Sequence, residues 1–86
     1  MAVKRKKQSS TGPVIDLHGY TVREAEEATL QFLSDLVLAG EKRAVIIHGH
    51  GSGKVKAAVH RVLAASGLVS HFEVNFQNTG ETKIRL

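Results

Sequence analysis

The spacing of apolar and polar positions after residue 13 changes period several times, and each change marks an expected element. Val14-Ile-Asp-Leu-His18 alternates, with Ile15 and Leu17 on one face and Val14, Asp16 and His18 on the other. This is the pattern of a short strand, ended by Gly19. Val22, Ala25, Thr29, Phe32, Leu33 and Leu36 then recur at helical spacing. Thr21 with Glu24 three residues on has the form of a capping box, and Gly40 stands where a C-cap glycine should. From Arg43 to His48 the chain is apolar on both faces, at Ala44, Val45, Ile46 and Ile47, as in an interior parallel strand. Val55, Ala58, Val59, Val62 and Leu63 predict a second helix that starts near Lys54 and is capped by Gly67, with His60 beside the stripe as a surface residue. Val69 to Phe76 alternates again, Phe72, Val74 and Phe76 inward and His71, Glu73 and Asn75 outward. Turn residues at 77–80 and a last alternation, Thr82, Ile84 and Leu86 inward, close a hairpin.

The order βαβαββ predicts an α/β fold of two layers, a four-stranded mixed sheet with two helices on one face. A strand–helix–strand unit makes the first two strands parallel. Both end in His-Gly, so Asp16 and His18 are expected at the same sheet edge as His48. Open α/β sheets bind ligands outside the carboxyl ends of their strands, which is this edge. Period two assigns Asp16, His18, His48, His71, Glu73, Asn75, Lys83 and Arg85 to the uncovered, polar face.

The chemistry gathers after the second strand, in His48-Gly-His-Gly-Ser-Gly-Lys54. A glycine-rich turn that leads from a strand into a helix aims several backbone N–H groups at one concave spot, and the helix dipole adds positive potential there. Gly49, His50, Gly51, Ser52, Gly53, Lys54 and Lys56 are therefore candidate phosphate-binding residues. ATP-type and dinucleotide sites fail on spacing: His48 stands at the first glycine of a Walker A pattern and Val55 at its hydroxyl, while Lys54 occupies the last glycine of G-x-G-x-x-G. His48 is a candidate general acid or base because an imidazole titrates near neutral pH. Asp16 and His18 are candidates to orient it, position water or contact phosphate. Lys83 and Arg85 are candidates to track a nucleic-acid backbone. Plainer readings stand beside these: a strand-end histidine bonded to backbone, a carboxylate paired with a lysine, and solvated edge charges at Lys83 and Arg85. Asp16, His18, His48 and His50 could also ligate a metal, although no fixed ligand spacing marks them.

Composition adds limits rather than a function. With 86 residues the chain has one modest core, and it has no cysteine. No apolar run approaches the roughly 20 residues of a spanning helix, so a soluble cytoplasmic protein without a membrane partner is expected. The net charge is +4, yet four of twelve basic residues are Lys4, Arg5, Lys6 and Lys7. From residue 14 onward eight basic residues balance eight acidic ones. Residues 1–13 read as a basic flexible linker, able to lie along a nucleic-acid backbone or to stay solvated, and residues 14–86 as the folded domain.

Ile15-Asp-Leu-His-Gly19 resembles the L-D-L-H-G signature of Smr (small MutS-related) domains, with Ile for the first Leu, and His48-Gly-His-Gly-Ser-Gly53 resembles their H-G-x-G-x-G block. The similarity covers residues 14–86, with the motifs in the family's order and about one βα unit apart. It implies a fold similar to the C-terminal domain of translation initiation factor three. It also implies nicking endonuclease activity on nucleic acid, DNA with branched or recombination intermediates foremost, and RNA in some relatives. Carried over by position, Asp16 and His18 match the first motif, and His48, Gly49, Gly51 and Gly53 the second. A basic linker ahead of such a domain resembles the C-terminal end of the bacterial anti-recombination MutS paralogue, which implies attachment to a larger MutS-like ATPase. The family is divided on a divalent cation, so magnesium or manganese stays open as a cofactor. The alternative is a non-catalytic module that binds DNA, RNA or a ribosome for that ATPase.

Overall fold

In the computed structural model, which describes residues 5–9 and 12–86, the elements run β1 (Arg5–Ser9), β2 (Gly12–Asp16), α1 (Val22–Ala39), β3 (Arg43–Ile47), α2 (Lys54–Ala65), β4 (His71–Val74) and β5 (Glu81–Arg85). The strands lie in the order β1-β2-β3-β5-β4. β2 and β3 are parallel and in register, Val14 opposite Val45 and Asp16 opposite Ile47, whereas β5 is antiparallel to both β3 and β4. The expected four-stranded mixed sheet is thus β2-β3-β5-β4, with α1 and α2 on one face.

β1 adds a fifth strand, antiparallel to β2. It comes from the stretch expected as a flexible linker, of which residues 1–4, 10 and 11 lie outside the described residues. The outer edge of β2 offers backbone donors and acceptors, and pairing with them requires no apolar side chain. Hydropathy therefore carries no trace of this strand.

α1 begins and ends where its caps require. The Thr21 hydroxyl accepts the Glu24 N–H at 3.1 Å, the Glu24 carboxylate accepts the Thr21 N–H at 2.9 Å, and the N–H of Gly40 reaches back to the Leu36 and Val37 carbonyls. The helix buries Ala25, Thr29, Phe32, Leu33 and Leu36, and α2 buries Ala58, Val59 and Leu63. Ile15, Leu17, Ala44, Ile46 and Ile84 of the sheet complete the core and share one face, because alternate residues point the same way. Arg61 of α2 and Glu26 of α1 join the two helices at the surface, 3.2 Å apart. No helix among the described residues is long and apolar enough to cross a membrane.

Phe76 departs from expectation. β4 stops at Val74, and the chain turns before the third inward position is reached, so the Phe76 ring is 88% exposed. Asn75 and Asn78 cause the early turn: both amide side chains donate to the Glu81 carboxylate, and their own carbonyls accept the N–H groups of Gln77 and Gly80.

Urea denaturation of two variants checks this account of the core. Phe32→Ala, which empties a fully buried site, should cost about 3–5 kcal/mol. Thr21→Ala should cost about 1 kcal/mol, the usual worth of an N-cap side chain.

Candidate nucleic-acid site

The parallel pairing of β2 with β3 sets the two His-Gly steps side by side. The Leu17 N–H donates to the Ile47 carbonyl at 2.7 Å, continuing the ladder beyond β2. On the other side of β3, the Gly80 carbonyl accepts the N–H groups of both His48 and Gly49, at 2.9 and 3.0 Å. A Cβ on Gly80 would stand 3.0 Å from the His50 ring, so a side chain there would push against the imidazole. The turn that follows is anchored at its first residue from both neighbouring strands.

Beyond that anchor the turn is open. Gly49, Gly51 and Gly53 have φ of 80°, 25° and 86°, left-handed backbone that side chains rarely adopt. Among the described residues, no hydrogen bond uses the backbone N–H groups of His50, Gly51, Ser52 or Gly53. α2 starts with no side-chain cap at Gly53, and its first amide has only the Ser52 hydroxyl at 3.4 Å. Free amides at a helix N-terminus favour an anion. Between this turn and residues 18–20 lies a cleft of about 340 Å³.

The two motif histidines are placed in opposite ways. His18 lies past the end of β2, its side chain 78% exposed. The Asp16 carboxylate accepts both the His18 backbone N–H and its Nδ1–H, each at 3.0 Å. That contact fixes the ring and leaves Nε2 as its outward nitrogen. The His18 Cβ is 3.8 Å from where a Cβ on Gly49 would sit, so the imidazole stands directly beside the turn.

His48, expected on the uncovered face, lies on the other one. Ala44, Ile46 and His48 share a parity, and Ala44 and Ile46 are core residues, so His48 continues the helix-covered face and is 5% exposed. Its Nδ1 is 3.0 Å from the Gly49 carbonyl and its Nε2 is 2.8 Å from the Thr82 hydroxyl. A carbonyl only accepts, so Nδ1 carries the hydrogen. In the neutral ring Nε2 is then an acceptor, and Thr82 donates to it. The Thr82 oxygen is left to accept from Nε2–H of His60, also at 2.8 Å. Burial holds both imidazoles below the ordinary histidine value of 6.5, opposed at His48 by the Gly49 carbonyl and reinforced by nearby Lys56. Both rings are accordingly neutral at neutral pH, as this order of protons requires.

His60 is not the surface residue that its place beside the stripe suggests. It is partly buried, and its ring packs on Phe72 with 5.1 Å between centroids. A sequence signal existed: Thr82 falls at an inward strand position, and a buried hydroxyl must find polar partners. Tyr20, the residue after the first His-Gly, also lines the cleft, a place that no motif or period in the sequence marks.

The remaining candidates divide into two groups. Lys56 lines the cleft with His50 and Ser52, while Lys54 is exposed at the helix start. Lys83 and Arg85 are elsewhere, on the open face of the sheet. There Arg43, Arg85 and His71 are successive cross-strand neighbours bordering a second cleft of about 260 Å³. β3 has five residues, which puts its two ends about 15 Å apart at strand rise. Among the described residues no three His, Asp or Glu side chains gather as a ligand set for a metal ion. Asp16 and His18 are bonded to each other and His48 has both nitrogens engaged, so the histidines and Asp16 do not form such a set.

Residues 15–84 match the model of the Smr domain. An endonuclease MutS2 of Halothermothrix orenii is 33% identical over 94% of this chain, and one of Thermotoga neapolitana is 38% identical over 88%. In both cases the chain spans 10% of the relative's length. The crystal structure of the Smr domain of Thermus thermophilus MutS2 superposes with a TM-score of 0.82 at 28% identity, covering 85% of this chain and 95% of that one. With both motifs on paired strand ends and the family match running from β2 to β5, this chain belongs to the Smr domain family.

Proposed function

We propose that this Smr domain nicks nucleic acid, with the Asp16–His18 pair as the catalytic base and the glycine turn as the phosphate cradle. The observation that carries the reading is an exposed imidazole, oriented through Nδ1 by a carboxylate, beside amides with no internal partner. Backbone amides from His50 to Gly53, aided by Lys56 and Lys54, hold a phosphate and take up charge as the phosphorus becomes five-coordinate. His18 Nε2 takes a proton from the attacking water, and the Asp16 carboxylate stabilises the resulting imidazolium. The P–O bond to the leaving sugar oxygen then breaks, and that oxygen collects its proton from water at this exposed edge. Buried and bonded through both nitrogens, His48 serves as the turn's anchor in this scheme, not as its base.

Lys83, Arg85 and Arg43 extend the path across the open face, where they contact further phosphates rather than bases. The relatives are named MutS2 endonucleases, which supports cleavage of nucleic acid, and DNA is the substrate that the resemblance to MutS-related domains favours. Their tenfold greater length supports a place for this domain within a larger MutS-like protein.

Nicking of supercoiled plasmid, run beside structured RNA, tests the assignment. His18→Ala should slow it about 10²–10⁴-fold, the range for losing a general base, and Asp16→Asn should act in the same direction. Full activity in His18→Ala would reject the mechanism, and tight binding to a substrate recovered intact would favour a binding module. Lys83→Ala and Arg85→Ala should each lower the slope of log affinity against log salt by about 1, with the cleavage step itself unchanged.

A further inference from the structure

The buried histidines form a connected chain that the proposed reaction does not use. It runs from His60 on α2, through Thr82 on β5, to His48 at the end of β3, and ends on the Gly49 carbonyl. Each hydrogen bond in it has a determined direction, because the terminal carbonyl can only accept. His60 donates to Thr82, Thr82 donates to His48 Nε2, and His48 Nδ1 donates to Gly49. His48 is thereby held in the Nδ1–H form, the only neutral form that can bond this carbonyl.

The last bond has a geometric consequence. In a trans peptide the C=O and the following N–H point in opposite directions. Holding the Gly49 carbonyl on the His48 ring therefore turns the His50 N–H away from that ring. Gly49 has a φ of 80° and the turn has glycine at every second position, so little else restrains this peptide plane. The first residue is anchored by Gly80, but the first free amide is directed by an imidazole.

We propose that His60 is a positioning residue: acting through the Thr82 hydroxyl, it fixes the His48 tautomer and so sets the Gly49–His50 peptide that starts the phosphate turn. Its value for an anion rests on the phosphate-cradle reading above, whereas the hydrogen-bond control does not. The device couples α2, β5 and β3 at one oxygen, which is fully buried. Lys56, His50 and Glu81 are the charged or titratable neighbours that act on His48, and His48 and Lys56 those that act on His60. Of these neighbours only His48 belongs to the chain of bonds itself.

Long-range ¹H–¹⁵N spectra of the histidine rings and amide spectra of the turn test this without any need for cleavage. Wild type should have His48 in the Nδ1–H form. His60→Phe keeps a ring against Phe72 but removes the donor, and should bring in the Nε2–H form with shifted amide signals at residues 49–53. His60→Gln, which can still donate to Thr82, should restore the wild-type tautomer. Thr82→Val should reproduce His60→Phe, and provides the same reading if that variant does not fold. A His48 that stays Nδ1–H with unmoved turn amides in a folded His60→Phe or Thr82→Val protein overturns the proposal.

Inorganic phosphate and a short single-stranded oligodeoxynucleotide, titrated in the same spectra, separate the two levels. If both readings hold, His60→Phe weakens phosphate about 10-fold, the equivalent of one misdirected hydrogen bond. If wild type binds neither probe but the tautomer still switches, the phosphate reading fails and the positioning role stands. Stability should also fall as pH drops from 6.5 through the lower folded-state values of His48 and His60, since the unfolded chain takes protons first. That pH slope should be shallower in His60→Phe, which removes one of the two groups.

Discussion

Two strands that each end in His-Gly lie parallel and in register, and the meeting of the two motifs depends on that pairing. Asp16 opposite Ile47 brings the first motif to the mouth of the glycine turn. A one-residue slip would carry Ile15 and Leu17 to the open face and separate Asp16 from the turn at the same time. The dry core and the place of Asp16 beside the turn therefore depend on the same register. The caps of α1 support it by fixing the length of the crossover between the two strands.

From this pairing the two motif histidines take different work. One lies past the end of its strand, tethered by a carboxylate and turned to water. The other is drawn onto the covered face, where the Gly49 carbonyl and the Thr82 hydroxyl use both of its nitrogens. A ring with two internal partners is a poor proton acceptor for solvent chemistry but a good fastener for a glycine-rich backbone. The same residue type is thus exposed and tethered at one strand end, buried and fastened at the other.

Much of this was legible before any coordinates. The strand and helix periods located the four strands and two helices of the two-layer fold, because burial on one face writes itself into side-chain spacing. Thr21, Glu24 and Gly40 marked the ends of α1 because caps are made within a few residues. The candidate site was legible as far as the meeting of Asp16, His18 and the turn at one edge, because a parallel crossover brings those strand ends together. β1 was not legible, since backbone pairing leaves no hydropathic mark. Phe76 misled because alternation says nothing about where an asparagine turn cuts a strand short.

By itself the sequence determined the element order, the facing of the core, the edge at which the two motifs meet and the left-handed turn that glycine permits. These follow from local spacing and from rules of strand connection. Only the tertiary structure decided which histidine faces water. It also placed Arg85 opposite Arg43, at the end of β3 away from the turn, and Lys83 opposite Val45 in mid-strand, and joined His60, Thr82 and His48 into one chain of hydrogen bonds. Those are relations between residues up to 34 positions apart. They exist only where α2, β3 and β5 pack against one another, because a hydrogen bond between side chains is settled by distance and burial in three dimensions.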